Sequence, residues 1–427
     1  MRFFGAWLLL LAIFLSSCLP ADNWLGGGAD IETSKNSEGY APKNFDNVKA
    51  IWLSQYDLSS VYTDGGRQRE RESFAQLVRQ ILGNISSLGL NTVFLQVRPF
   101  GDSFFESEVY PVSSFVSGEY GNPISYDPIA IIIDEGHRLG LSMHAWINPL
   151  RCMNESEIVK VDDDFLINRW YNDRSKKGKY IVNVSQRYYL NPAYDEVREL
   201  VCLGVDEILE KYEVDGIHID DYFYPTADES FDSFAYVEYL SSGGGLSLGD
   251  FRRENINLLV GEIYRTVKSK DARILFGVSP AGVMKNNREL IFADVEHWCA
   301  NEGYVDYICP QIYFGFEHST CAFDKLCREF SEMITVDSVK LIIGMTLGKA
   351  HSEYDAYAGE GKYEWRDRKD ILVRQLEYTK SLEKCVGVSY FSYQYFYDAL
   401  TGEPVGETRA ELDKLLPELN KTTWRKQ

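Results

Sequence analysis

Two adjacent aspartates, Asp220 and Asp221, lie in the run Asp215-Gly216-Ile217-His218-Ile219-Asp220-Asp221-Tyr222-Phe223-Tyr224-Pro225. Neighbouring carboxylates flanked by aromatics do not both titrate normally. Burial or like charge raises one, and a cation such as Arg98 or His218 holds the other ionised. This is the equipment of glycosidic cleavage, which needs an acid for the leaving oxygen and a carboxylate for the sugar or a water. Successive residues of a strand point to opposite sides, so the two aspartates need not serve one bond. Asp57, Asp102, Glu106 and Glu317 stay open as sources of a second carboxylate.

Other polar and aromatic residues recur at the ends of β-type runs. Gln96-Val97-Arg98-Pro99 is followed by Asp102, His144-Ala145-Trp146-Ile147-Asn148-Pro149 by Arg151, and Pro310-Gln311-Ile312-Tyr313 closes a third run. Period two places His218, Asp220 and Tyr222 on one face, opposite Ile217 and Ile219. The same rule groups His144, Trp146 and Asn148, and groups Phe94, Gln96 and Arg98. Arg98, Asp102, His144, Asn148, His218 and Gln311 are therefore candidates to hold sugar hydroxyls. Trp146, Tyr222, Tyr224 and Tyr313 are candidates to stack on the apolar C–H face of the ring. Tyr390, Tyr393 and Tyr395 extend that aromatic set.

No GxGxxG, P-loop or HExxH motif is present, and Pro280 spoils the near nucleophile elbow at Gly277-Val278-Ser279. No cofactor and no metal is expected. The alternative that keeps a metal joins His144, His218 and Asp220 in a metal-dependent amidase or deacetylase.

These residues need a frame. Strand-like runs recur at 48–56, 91–99, 141–149, 214–221, 274–280, 305–313, 340–346 and 386–395, with helical segments of period 3.6 between them. One such segment carries Phe74, Leu77, Val78, Ile81, Leu82, Ile85 and Leu88, and another carries Val197, Leu200, Val201, Val205, Ile208 and Leu209. Eight βα units in series predict an α/β fold, a (β/α)8 TIM barrel with extended βα loops, the longest after strands two, three and four. In such a barrel the C-terminal strand ends form the active site, which is where the candidate residues fall. The barrel is placed at residues 48–420, ahead of a charged tail at 421–427.

At the N-terminus Arg2 precedes a 13-residue apolar run, Phe3–Leu15, which is too short to cross a bilayer but suits a signal peptide. Leu15-Ser16-Ser17-Cys18 reads as a lipobox, so residues 1–18 are expected to direct export and Cys18 to carry lipid. Residues 19–47, rich in Gly, Asn, Asp and Ser, read as a flexible tether. The seven other cysteines include no CxxC pair and read as free thiols, with Cys321–Cys327 a minor possibility for a bridge. Lys plus Arg number 44 and Asp plus Glu 64, a net charge of −20, which argues against nucleic acid as a partner and leaves the lipid anchor as the one link to a membrane. Aromatics make up 14% of the chain, and 28 of them are tyrosines.

The motifs above occur together with Tyr126-Asp127-Pro128, Tyr189-Leu190-Asn191-Pro192 and Val278-Ser279-Pro280. In that order the chain resembles the glycosyl-hydrolase-like family 10 of bacterial lipoproteins, over about Lys49 to Tyr397. The resemblance implies a barrel glycosidase, secreted or lipid-anchored, with cell-wall glycan as substrate. Chitinase-type barrels carry Asp-Gly-x-Asp-x-Asp-x-Glu on strand four; here His218 and Tyr222 replace the second Asp and the Glu. The expectation is an extracytoplasmic, membrane-anchored glycoside hydrolase that cuts a bacterial polysaccharide, peptidoglycan glycan strands, with Asp220 and Asp221 as its acid/base or nucleophile pair. The alternative outside enzymes is a non-catalytic glycan-binding lipoprotein on a degenerate barrel.

Overall fold

A computed structural model describes residues 40–352 and 354–424. The expected signal peptide, the lipobox Cys18, residues 19–39 of the tether and residues 425–427 lie outside the described residues.

Eight parallel strands close into a barrel: β1 Val48–Leu53, β2 Thr92–Arg98, β3 Ser142–Ile147, β4 Gly216–Ile219, β5 Leu275–Val278, β6 Tyr307–Ile308, β7 Lys340–Thr346 and β8 Cys385–Phe391. Each pairs with its sequence neighbour, and β8 returns to β1. Seven fall inside the expected runs, several of them shorter, and β8 overlaps its run but starts one residue earlier, at Cys385. The first stops at Leu53 because Ser54 caps a helix at Gln55–Tyr62, exchanging bonds with Asp57 in a capping box.

Amphipathic helices cover the barrel. The principal ones are α1 Arg71–Ser87, α2 Pro128–Arg138, α3 Asp195–Lys211, α4 Leu248–Lys270, α5 Phe323–Met333, α6 Ile371–Thr379 and α7 Arg409–Lys421. The predicted stripes are buried: Phe74, Val78, Ile81, Leu82 and Ile85 of α1, and Val197, Leu200, Val201, Val205, Ile208 and Leu209 of α3. In Tyr126-Asp127-Pro128, Asp127 caps α2 by accepting from the amides of Ile129 and Ala130, and Pro128 starts the helix. The loop after β3 holds an antiparallel three-stranded sheet, Arg151–Asn154, Ile181–Val184 and Arg187–Leu190.

Period two sorts the strand residues as expected. Ile51, Leu53, Val93, Leu95, Ala145, Ile147, Ile217 and Ile219 face the helices. Ala50, Trp52, Phe94, Trp146, Tyr307, Cys309 and Ile342 fill the barrel. Two glycines make that interior possible. A Cβ on Gly216 would lie 2.4 Å from His144 Nδ1, and one on Gly277 would lie 2.0 Å from Tyr307 Cζ.

The expected boundaries move outward at both ends. Residues 40–47 close the barrel floor instead of hanging free. The Tyr40 hydroxyl and the Lys43 amide both donate to Asp215 Oδ1 at 2.5 Å. The Met143 amide donates to Asp215 Oδ2 at 2.6 Å, and His137 Nε2 lies 3.0 Å from it. Burial pushes the Asp215 carboxyl up, but these four bonds outweigh burial and hold it below the usual value. At the other end Trp424 is buried, its amide donating to Asn47 Oδ1 at 2.6 Å and its indole to Thr379 at 3.2 Å. The seven described cysteines are free, Cys321 and Cys327 included.

Candidate active site

A cleft of about 180 Å³ opens at the C-terminal ends of the strands. Asp220 and Asp221 are the carboxylates lining it among the described residues. Asp220 follows the last residue of β4 and is 3% exposed. Its carboxylate accepts from Asn148 Nδ2 at 2.7 and 2.6 Å, from the Trp146 indole at 3.1 Å and from the Tyr222 amide at 3.4 Å. Asn148 is itself oriented from behind. Gln96 Nε2 donates to Asn148 Oδ1 at 2.6 Å, and Gln96 Oε1 accepts from the Gln55 amide at 2.9 Å. Residues from the ends of three consecutive strands and from the turn after β1 thus fix one carboxylate.

Burial, and after it the charge of Asp221, pushes the Asp220 carboxyl up to about 8, against the pull of the Tyr222 amide, Asn148 and Arg151. Asp220 therefore carries a proton at neutral pH, and the donors around it are placed to stabilise the anion left when that proton goes. Asp221 is also raised, chiefly by burial, while Gln311 Nε2, donating to its Oδ1 at 3.0 Å, pulls the other way. A second bond from Gln311 Nε2, to the Ser279 carbonyl at 3.1 Å, holds that amide in place.

Rings form the rest of the cleft. Trp52 and Trp146 meet edge to face at 4.7 Å, and Tyr313 stacks on Phe391 at 5.8 Å. Tyr222 and Tyr56, 42% and 60% exposed, stand at the rim. Arg151 is the one cation among the described lining residues. Its guanidinium is clamped between Phe100, 4.6 Å away, and Tyr222, 4.1 Å away.

Five expected binding residues stand elsewhere. Arg98 leaves the inward face because the β2–β3 register shifts between Gln96 and Arg98, which pairs it with the outward Ile147. Asp102 is buried in the loop after β2, accepting from the Phe100 amide at 2.9 Å and the Tyr120 hydroxyl at 2.8 Å. His144 and His218 do point inward, but below the mouth. Their Nδ1 atoms lie 2.9 and 2.8 Å from the Tyr307 hydroxyl, and His218 stacks on Phe94 at 4.2 Å. Burial lowers both imidazoles, His144 to about 4, so both are neutral. Tyr224 comes after strand pairing has ended, so period two no longer aims it. It is buried between Phe231 and Phe292, each 5.5 Å away.

The open choices settle in the same way. Asp57 is buried, bonded to Ser54, Ser392 and the Gln394 amide, while Glu317 pairs with Arg368 at 3.3 Å; neither they nor Glu106 line the cleft. His144 and His218 share Tyr307 while Asp220 is bound to Asn148, so the three do not converge as a metal site would require. Tyr390 and Tyr393 are buried. The cleft residues outside the candidate catalytic and binding set are Trp52, Ser54, Gln55, Tyr56, Gln96, Arg151 and Phe391, of which Gln96 and Arg151 stand in the strand-end runs singled out above. Trp52 and Gln96 share the inward period with Ala50 and Phe94, and that signal was available in the sequence.

A (β/α)8 barrel with a buried, proton-holding carboxylate beside a second one, in an aromatic cleft at the strand ends, is a glycoside-hydrolase-like barrel. The chain belongs to the glycosyl hydrolase-like 10 family, whose match spans residues 47–357. It is 31% identical over 364 residues to glycosyl hydrolase YngK of Bacillus subtilis (strain 168), covering 81% of this chain and 68% of that protein. It is 28% identical over 428 residues to glycosyl hydrolase DigH of Escherichia coli O6:H1, covering 93% and 94%. The fold also resembles the PgaB (BpsB) glycoside hydrolase domain from Bordetella bronchiseptica, with TM-score 0.55, 12% identity and coverage of 86% and 99%. The β-amylase catalytic domain from Paenibacillus polymyxa resembles it with TM-score 0.55, 9% identity and coverage of 88% and 99%.

Proposed function

We propose that the protein is an extracytoplasmic glycoside hydrolase, held to a membrane by lipid on Cys18, that cuts the glycan strands of peptidoglycan. The observation that carries the reading is the state of Asp220, a carboxyl buried beside Asp221 and ringed by donors that favour its anion. Asp220 is the general acid, giving its proton to the leaving glycosidic oxygen as Asn148 and Trp146 take up the charge. Asp221 is its partner at the sugar or the attacking water. Trp146, Tyr222 and Tyr313 take the C–H faces, and Gln311 holds Asp221 in place. Arg151 supports an acidic substrate, since its fork lines the cleft and muramic acid carries a carboxyl group.

The test is product analysis on purified peptidoglycan and on its isolated glycan strands. New reducing ends are expected from wild type and none from Asp220→Asn. Free amines or acetate in their place would move the protein to the amidases or deacetylases. The anchor is checked by mass spectrometry for a lipid on Cys18 and by release of Cys18→Ala into the soluble fraction.

A further inference from the structure

Asp57 is a buried carboxylate that the chemistry of the cleft leaves unused. It is 3% exposed and sits where the barrel closes, between the turn after β1 and the turn after β8. The β1–β8 ladder ends at the pair Ile51 and Tyr390. Beyond it Asp57 ties the two turns together. Its Oδ2 accepts from the Ser54 amide at 2.7 Å and the Ser54 hydroxyl at 2.5 Å, and its Oδ1 from the Ser392 hydroxyl at 2.9 Å and the Gln394 amide at 2.7 Å. Each oxygen thus holds one turn. Both ends bear on the cleft, which Ser54, Gln55 and Tyr56 line after β1 and Phe391 lines at the end of β8.

Gln55 lies inside the segment that Asp57 pins. Its backbone N–H donates to Gln96 Oε1 at 2.9 Å, Gln96 Nε2 donates to Asn148 Oδ1 at 2.6 Å, and Asn148 Nδ2 donates to the Asp220 oxygens at 2.7 and 2.6 Å. A side-chain amide can turn over and exchange its oxygen and nitrogen, whereas a backbone N–H can only donate. With the Gln55 N–H in place, Gln96 meets it with oxygen and turns Nε2 to Asn148. Asn148 answers with its own oxygen and turns Nδ2 to Asp220. One backbone N–H therefore sets the polarity of the whole relay. Without it the reverse order is open, and that order puts Asn148 Oδ1 against Asp220 and removes a donor from the anion.

We propose that Asp57 is a positioning residue for the reaction: by tying the turn after β1 to the turn after β8, it holds the Gln55 N–H against Gln96 and so keeps a donor, not an acceptor, facing Asp220. The proposal rests on Asp220 as the general acid, and its test has a readout that needs no turnover. Titration of Asp220 is followed by NMR of the whole protein labelled with ¹³C at the aspartate carboxyl carbon, the Asp220 signal being the one lost in Asp220→Asn. The amide of Asp57→Asn has a single oxygen for two sets of donors, so one turn is released. Asp220 is then expected to titrate about 1–2 pH units higher than in wild type, the worth of one hydrogen bond to a charged group. On the same grounds kcat for release of reducing ends should fall about tenfold, with the alkaline limb of its pH profile moved upward. A direct charge effect has the opposite sign, since removing a negative charge at Asp57 would lower Asp220. The charged and titratable groups that act on Asp220 or feel its charge are Asp221 and Tyr222 beside it, Arg151 after β3 and Tyr313 after β6, and all stay unchanged in these variants.

Gln96→Met cuts the relay but leaves the tie between the turns intact. It is expected to raise Asp220 likewise, and Asp57→Asn is expected to add nothing in that background. If Asp57→Asn does not fold, Ser392→Ala, which removes one of the four bonds to Asp57, is expected to move Asp220 in the same direction by less. An Asp220 that titrates where it does in wild type, or lower, in whichever of the two variants folds would overturn the proposal. So would a shift that adds in full to that of Gln96→Met. A wild type that releases no reducing ends would instead overturn the reading of Asp220 as the acid, and the titration would still decide whether Asp57 sets the relay.

Discussion

Replacing Asp220 by Asn tests the carboxylate pair in two independent ways. In the wild type the Asp220 carboxyl is raised from an ordinary 3.8 to about 8. The folded protein therefore holds this proton where the unfolded chain has lost it. Stability associated with the neutral group is fully present below about pH 4 and is lost progressively as pH rises to about 8. At about 1.4 kcal/mol per pH unit, the penalty at the top of that window is on the order of 5 kcal/mol. The amide of Asp220→Asn cannot ionise, so the variant escapes the penalty. It has a cost of its own. Asn148, Trp146 and the Tyr222 amide all donate to this carboxylate, and an amide nitrogen turned toward one of them leaves a buried donor unmatched. That costs about 1–3 kcal/mol at every pH.

The two terms cross. Below about pH 5 Asp220→Asn should be the less stable protein, and above about pH 8 the more stable one. Each kcal/mol moves the midpoint of a chain this long by about 1–2 °C, so a series of melting curves from pH 4 to 9 resolves the crossing. Release of reducing ends, measured on the same samples, should fall about 10²–10⁴-fold, the range for loss of a general acid. A stability difference that stays flat from pH 4 to 9 would refute the raised carboxyl. Turnover at the wild-type rate in a variant that melts cooperatively would refute the catalytic role, whatever the melting curves show.

Further outcomes follow from the geometry. Trp146→Phe keeps the ring but removes the indole donor to Asp220, so kcat should fall about tenfold, the worth of one hydrogen bond to a charged group, with KM little changed. Tyr222→Ala should raise KM for glycan several-fold, whereas Tyr224→Phe should leave kcat and KM alone because that ring is buried behind the barrel. Asp215→Asn should lower stability by about 3 kcal/mol near neutral pH. This carboxyl is held below its usual value, so its contribution is present above about pH 4 and lost as pH falls further. The midpoints of wild type and Asp215→Asn should therefore converge in acid; midpoints that stay parallel down to pH 3 would contradict the floor clamp.

Most of the frame was legible in the sequence because each level repeats one signal. The 3.6 period of α1 and α3 and the alternation of Ile217 and Ile219 with His218 need nothing beyond local geometry. The failures came where geometry changes within a residue or two. At Arg98 a register shift turned an inward residue outward, and after Ile219 the chain left the sheet, which carried Tyr224 away from the mouth. Neither event has a local signature, since a bulge or an exit depends on the neighbouring strand. The tether is a similar case. Residues 40–47 are polar enough to pass for a linker, yet they bind because Asp215 and Asn91 offer them partners from other parts of the chain.

The histidines illustrate a different limit. His144, His218 and Asp220 face the barrel axis, and a face is all that period two supplies. Height along the axis follows from register. Gly216 pairs with His144, and His218 pairs with Trp146. With about 3.3 Å per residue, His144 lies one layer, roughly 6–7 Å, below His218 and Trp146, and Asp220 stands one layer above them with Asn148. The family motif is therefore two sets of residues interleaved on the same strands. Asp215, Gly216 and His144 build the floor, Trp146, Asn148 and Asp220 make the site, and His218 with Tyr307 couples the layers. Substitutions at Asp215, Gly216 and His144 should act on folding and those at Trp146, Asn148 and Asp220 on turnover, even though the residues alternate along the same strands.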